Sequence, residues 1–220
     1  MVLHFYGSLL SPCNQRVSMI LYEKKIPYVF HSIDLVKGEQ KMPEYLEKQP
    51  FGKVPYIDDN GFILYESRAI VRYLAMKYHD KGEKLIPDFA DLKAVALFEQ
   101  AASVEQSSFD LYAGQATWEN IFKKMVGQTP DPKVFEQAIS ALEQNLKGYE
   151  VILGKHKYLA GDELTIIDLF HLPYGSLLSS AGSDIMSRQG PNVTRWWNEL
   201  LARPAWKAIS KGIPEMESFS

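Results

Sequence analysis

The first 80 residues change periodicity in an order that few folds can accommodate. Residues 2–6, VLHFY, alternate as a short strand does. Ser11 and Pro12 then open a helix, the serine as N-cap and the proline in the first helical position. Val17, Ile20, Leu21 and Lys24 follow at helical spacing, and Pro27 ends that helix. Residues 28–35, YVFHSIDL, read as a second strand. Residues 36–49 are polar with Met42, Tyr45 and Leu46 as apolar anchors, the pattern of a short surface helix. VPYIDDNGFILYE holds two apolar runs around Asp59-Asn60-Gly61, a hairpin signature. SRAIVRYLAMKY sets Ile70, Tyr73, Leu74 and Tyr78 on one helical face. The predicted order is β-α-β-α-β-β-α. A helix joining strands one and two makes them parallel, and the hairpin makes strands three and four antiparallel.

That arrangement matches a thioredoxin-like α/β domain. Residues 79–90, HDKGEKLIPDFA, are charged and carry Gly82 and Pro87, so a linker is placed at 80–88. Beyond it strand signals vanish. Residues 92–112 form one long helical pattern, and 118–126 add a turn or two. Pro132 opens a helix to about Ile152 with Phe135, Ile139, Leu142 and Leu146 in register. LTIIDLFHLPYGSLLSSAG and TRWWNELLARP give two more, and Pro204 starts a last short one. Thr165 and Asp168, three apart before an apolar run, make a variant capping box, with Leu164 and Leu169 placed as a hydrophobic staple across it. Such a cap is worth about 1 kcal/mol and gives both residues a structural role. The expected division is a thioredoxin-like domain at 1–79, a linker at 80–88 and an all-helical domain at 89–220.

Composition narrows the partners. A net charge of −3 over 220 residues offers no electrostatic attraction for nucleic acid or an anionic membrane. No apolar run approaches the roughly 18 residues of a membrane span, and the N-terminus lacks the basic start and apolar stretch of a signal peptide. A single cysteine, Cys13, precludes an internal disulfide and points to a reducing, cytoplasmic setting. His4, His31, His79, His156, His171 and Cys13 show no metal-ligand spacing, and no glycine-rich phosphate loop is present, so no metal is expected.

SLLSPCNQRV, QPFGKVPYI, YESRAIVRYLA, VEQSSFD and GDELTIIDL occur in that order along essentially the whole chain. Together they resemble a glutathione S-transferase. FGKVP, ESRAI and VEQSSFD are similar to the phi class of plants and fungi, in which a serine is catalytic; theta-like serine enzymes are next nearest. The resemblance implies glutathione as co-substrate and conjugation of its thiolate to small hydrophobic electrophiles. It also implies hydroperoxide reduction beside that reaction, a place in detoxification and stress response, and a homodimer.

The residue types suit that tripeptide. Glu66 offers a carboxylate to the γ-glutamyl ammonium. The Ser67 hydroxyl and N–H, at a helix start, suit the γ-glutamyl carboxylate. The family's cis proline corresponds to Pro55, and would turn the Val54 N–H and C=O outward to pair with the cysteinyl residue as an added strand does. Lys41 matches the family's basic position for the glycyl carboxylate and Lys53 assists it. Gln40 stands where phi enzymes often carry histidine, so an amide replaces one charge there. Ser11 aligns with the catalytic serine. Its hydroxyl would donate to the glutathione sulfur without ionising. Free thiols titrate near pH 8.5, and one charge-assisted bond plus the helix dipole lowers that by roughly two units.

Cys13, third in SPCN, leaves open a second route, a thiol-transferase or deglutathionylase acting through a mixed disulfide. A third reading is a non-catalytic carrier of hydrophobic ligands. By analogy with the family, Leu9, Leu10, Phe109, Tyr112 and Ala113 line an acceptor pocket between the domains, and Phe51 is the apolar key of the dimer interface. Tyr6, on the first strand, reads as packing.

Overall fold

The computed structural model describes residues 2–214 and 216–217. In chain order the elements are β1 (Leu3–Gly7), α1 (Pro12–Glu23), β2 (Tyr28–Ser32), a 3-10 turn (Glu39–Lys41), α2 (Pro43–Leu46), β3 (Tyr56–Asp59), β4 (Phe62–Tyr65) and α3 (Ser67–Lys77). Then come α4 (Leu92–Val104), α5 (Leu111–Thr117), α6 (Lys123–Met125), α7 (Pro132–Leu153), α8 (Ile166–Leu169), α9 (Leu172–Ser180), α10 (Pro191–Ala202), α11 (Pro204–Ile209) and β5 (Met216–Glu217). Two units are distinct: the chain up to Lys84 together with the segment from Pro204 on, and Leu85–Arg203.

The first unit is thioredoxin-like. β1 runs parallel to β2, from Leu3↔Tyr28 to Gly7↔Ser32, and antiparallel to β3, with His4 opposite Asp58. β3 and β4 close a two-residue hairpin at Asn60-Gly61, whose φ values of 57° and 89° are the positive pair that a type I′ turn demands. Alternation puts Leu3, Phe5, Tyr28, Phe30 and Ile57 in the core with Val17, Ile20 and Leu21 of α1 and Ile70, Val71 and Leu74 of α3. Each such side chain contributes about 1.5–3 kcal/mol by leaving water. On the other face Tyr6 stacks on His31 and on Tyr56, with ring centroids 4.3 and 4.4 Å away. Tyr73 departs from the expected core face of α3. Its hydroxyl donates to Asp59 at 2.6 Å, and Lys77 pairs with the same carboxylate. Burial pushes the Asp59 carboxyl up, but these donors outweigh it and hold the pKa below its ordinary value. The hairpin thereby fixes α3, and with it Ser67 at the helix start.

Residues 80–84, within the expected linker, are exposed and tethered to the end of α1. Lys24, fully buried, donates from Nζ to the Glu83 carbonyl at 2.6 Å, and a Cβ on Gly82 would overlap the Glu23 carbonyl. The all-helical span stops at Arg203 rather than running to 220. α11 packs on α1 through a stripe in which Trp206 and Ile209 are buried, and β5 adds to the sheet edge antiparallel to β2, giving the order β4-β3-β1-β2-β5. The helical spacing of α11 says nothing about the unit that buries it.

The second unit is helical. α4, α5 and α6 run on from one another through π turns at Glu105–Asp110 and Trp118–Phe122. α7 begins at Pro132, with the Asp131 carboxylate accepting from the Lys133 and Val134 amides, and buries Ala138, Leu142, Leu146, Tyr149 and Leu153. Phe135 and Ile139 lie half-buried beside that stripe.

Thr165 and Asp168 form the capping box of α8. Asp168 Oδ2 accepts from the Thr165 amide at 3.0 Å and its hydroxyl at 3.1 Å. Oδ1 accepts from the Leu159 amide and the Trp196 indole, both at 3.0 Å. His171 Nδ1 faces the Ile167 and Asp168 carbonyls at 3.0 and 3.2 Å, so it carries the proton, and Nε2 accepts from the Tyr149 hydroxyl at 3.1 Å. Burial pushes the Asp168 carboxyl up and the His171 imidazole down from their ordinary values.

Asp168→Ala would leave four buried donors without this acceptor, and urea unfolding is expected to show a loss of about 3–5 kcal/mol. His171, neutral when folded, gives a pH dependence of fixed sign. The unfolded imidazole takes a proton near pH 6.5, whereas the folded one does so only at lower pH, so stability is full above about 6.5 and falls below it. Melting temperature should drop as pH is lowered from about 7.5 to 5.5. His171→Gln should reduce that drop, leaving the share carried by His31, whose pKa burial and then His4 also lower.

Candidate active site

β1 ends at Gly7 and the chain turns through Ser8–Ser11, where the Ser11 amide donates to the Ser8 carbonyl at 3.1 Å. Ser11 is extended (φ −86°, ψ 122°) and stands at the N-cap of α1. Its carbonyl accepts from the Asn14 and Gln15 amides at 3.0 and 3.2 Å, but its hydroxyl makes no capping bond. Pro12 has no N–H, so Cys13 supplies the first amide of the helix. Among the described residues that amide has no acceptor. The Ser11 hydroxyl and the Cys13 N–H are thus two uncommitted donors at the positive end of a twelve-residue helix. Leu9 and Leu10 are exposed just before them, and the free Cys13 thiol is half-buried.

The seat of this loop is tight. A Cβ on Gly7 would overlap the carboxamide of Asn14, which is fully buried and, among the described residues, has no hydrogen-bond partner at either its nitrogen or its oxygen. Glycine at position 7 is required by that close approach.

α3 presents the second set of donors. Glu66 precedes it at φ 68°, ψ 109°, a conformation that costs a non-glycine residue about 1–3 kcal/mol. This turn leaves Glu66 exposed and makes Ser67 the first helical residue, buried, with no acceptor for its amide among the described residues. The Ser67 hydroxyl accepts from Arg16 Nη1 at 3.1 Å, and the same nitrogen lies 3.8 Å from Cys13 Sγ. Arg16 is 1% exposed. One guanidinium therefore joins the first turns of α1 and α3. Sequence reasoning missed Arg16 and Asn14. The available signal for Arg16 was its place three residues after Cys13 and four before Ile20, on the stripe that α1 buries.

Residues 40–55 bring a third group together. Lys41 Nζ donates to the Phe51 carbonyl at 3.2 Å. A Cβ on Gly52 (φ +58°) would sit 2.7 Å from Lys41 Cδ and Nζ, so Lys41 lies across the turn that leads into Lys53. Both lysines are exposed, and Gln40 Oε1 is buried without a partner among the described residues. The Tyr45 hydroxyl donates to the Lys53 carbonyl at 2.8 Å, and the Lys53 amide donates to Gln49 Oε1 at 3.2 Å. Burial pushes the Tyr45 phenol well up, so it stays a donor. The Val54–Pro55 peptide bond is cis. The Val54 N–H and C=O have no partner among the described residues, because pairing in β3 starts only at Tyr56.

Other expectations are placed elsewhere. Phe109 and Ala113 are corrected as pocket walls: they are 1% and 0% exposed within the helical unit's own core, where the Phe109 ring lies 4.5 Å from His171. Tyr112 is half-buried. Phe51 is 61% exposed and edge-on to Tyr65. Tyr6 belongs to the ring stack on the sheet, and burial, then Asp58, push its phenol up. Among the described residues no three His, Cys, Asp or Glu side chains cluster as a metal site, and no helix is long and apolar enough to cross a membrane.

The sequence pattern of the glutathione S-transferase N-terminal domain matches residues 5–82, and that of the glutathione S-transferase C-terminal domain matches residues 113–204. Glutathione S-transferase hmp2 of Hypomyces subiculosus is 47% identical over 207 residues, which cover 94% of this chain and 96% of that one. Among solved structures, glutathione transferase F7 from Populus trichocarpa superposes with a TM-score of 0.90 at 33% identity, covering 96% and 98% of the two chains. Glutathione S-transferase I from maize, in complex with an atrazine glutathione conjugate, gives 0.86 at 30% identity over 96% and 97%.

The contact between Gly7 and Asn14 is directly testable. Gly7→Ala is expected to destabilise the protein by about 1–3 kcal/mol through overpacking. Adding Asn14→Ala should recover most of that loss in thermal or urea unfolding.

Proposed function

The chain belongs to the glutathione S-transferase family, where it resembles the phi class, and we propose that it joins the glutathione sulfur to small hydrophobic electrophiles with Ser11 as the catalytic residue. Glutathione is the co-substrate. The observation that carries the assignment of Ser11 is its hydroxyl, placed at the N-cap of α1 and not spent on capping.

In this reading the thiol proton passes to solvent and the Ser11 O–H donates to the resulting thiolate, with the Cys13 amide and the α1 dipole behind it. The thiolate forms a C–S bond to the electrophile and the leaving group departs. With an aromatic halide, halide is released. Ser11 keeps its proton throughout. The Val54 N–H and C=O pair with the cysteinyl backbone. Glu66 takes the γ-glutamyl ammonium, and Ser67 the carboxylate beside it. Lys41, with Lys53 and Gln40, takes the glycyl carboxylate. Leu9 and Leu10, exposed beside Ser11, offer apolar surface to the acceptor. The conjugate held by the maize relative, atrazine joined to glutathione, illustrates the product class. Reduction of organic hydroperoxides by the same thiolate, with a second glutathione closing the disulfide, belongs to this proposal. So do a cytoplasmic setting, in keeping with the single free thiol, and a homodimer in which the exposed Phe51 is the apolar contact.

Two substitutions decide between Ser11 and Cys13. Ser11→Ala removes a bond to a charged group worth about 1.5–3 kcal/mol, so kcat/KM for an aromatic halide should fall about 10- to 100-fold. The pH midpoint of the rate should move up toward that of a free thiol. Cys13→Ser should keep the activity within about twofold. The opposite pattern would transfer the chemistry to the thiol route. Absence of turnover in the unmodified protein, with binding of apolar dyes retained, would make it a carrier.

A further inference from the structure

Arg16 is a fixed positive charge with no exposure to solvent, held one turn inside α1, and the reaction as proposed does not use it. Its partner is informative. Nη1 donates to Ser67 Oγ at 3.1 Å. A guanidinium has only donors and does not deprotonate in proteins. It must therefore fill a lone pair of the Ser67 oxygen, and the hydroxyl proton is left to point at some other acceptor. A serine alone serves a cation or an anion equally well, because the hydroxyl both donates and accepts. With Arg16 filling one of its two lone pairs, Ser67 keeps its O–H proton for a ligand, and the cation beside it tilts the hydroxyl toward an anion. The Ser67 amide, without an acceptor among the described residues, adds a second donor at the start of α3.

We infer that Arg16 is a positioning residue that sets the hydrogen-bond polarity of Ser67, and through it the orientation in which a γ-glutamyl group is held. The carboxylate goes to Ser67 and the ammonium to Glu66, and the reverse arrangement is disfavoured because an ammonium would have to share the Ser67 oxygen with a guanidinium already donating to it. This rests on the reading of the site as one for glutathione. The Cys13 sulfur, 3.8 Å from the same nitrogen, ties this guanidinium to the first turn of α1 as well.

The test compares two unreactive ligands by calorimetry: S-methylglutathione, and its analogue lacking only the γ-glutamyl α-carboxylate. Arg16→Lys keeps the charge but loses the fork. It should weaken S-methylglutathione about tenfold or more while leaving the analogue within about twofold, so that the preference between them collapses. Equal weakening of both ligands, or of neither, would overturn the proposal and reduce Arg16 to a structural residue. Should the variant not fold, nitrogen-15 NMR of the Arg16 side chain in the unmodified protein decides instead. Its Nη signals should move on binding S-methylglutathione and stay in place with the analogue; equal movement with both ligands overturns the inference. Failure of the glutathione reading itself looks different, since neither ligand would then bind the unmodified protein.

Discussion

Two helices in this chain begin with donors that nothing among the described residues uses up, and the glutathione site proposed above depends on that. A helix start is ordinarily closed by a side-chain oxygen, and closure is worth about 1 kcal/mol. The chain does this at three helices of the second unit. Asp91 caps α4, Asp131 caps α7 and Thr165 caps α8. At α1 and α3 no side chain does so, although Ser11 is the residue type best suited to it. The hydroxyl of Ser11 and the amides of Cys13 and Ser67 remain available instead. Stability forgone at these two ends is the physical counterpart of the binding proposed there.

That openness is held by buried polar groups. Arg16 spans the two helix starts, the Asn14 carboxamide presses on Gly7, and the carboxylate of Asp59 anchors α3 through Tyr73 and Lys77. Desolvating an arginine is costly, and the cost is recovered only where its donors are matched. The helical unit uses the same kind of interaction for a different end. Asp168, His171, Tyr149 and Trp196 form a closed set in which the described donors and acceptors meet, and this set fixes one packing of α7, α8 and α10.

Much of this was legible in the sequence where local chemistry decides the outcome. Asn60-Gly61 between apolar runs specifies a I′ hairpin because few residue pairs tolerate two positive φ values. Ser11-Pro12 marks a helix start because both residues suit that place. Ser67, Val54 and Lys41 were placed by the resemblance, and their local geometry is compatible with the roles it implied. What escaped notice depends on distant partners. Arg16 and Lys24 lie on the buried face of α1, yet a charged residue in a helical pattern reads as solvated surface until its partner is known. The partners are Ser67, 51 positions away, and the Glu83 carbonyl, 59 away. Phe109 and Ala113 were assigned to a pocket by analogy. Their burial depends on His171 and its neighbours, which no spacing near residue 109 reveals. β5 is two residues long, too short for any alternation to register.

The return of α11 and β5 to the first unit has a consequence for biogenesis. The whole helical unit is an insertion within a thioredoxin-like one, since β2 has its outer neighbour only when residues 216–217 arrive. During synthesis the early strands leave the ribosome well before that edge partner exists. A vectorial route is therefore closed to the first unit: it waits, incomplete along one edge, until residues 204–217 have been made, and a nascent chain stalled before residue 204 would carry an uncovered strand.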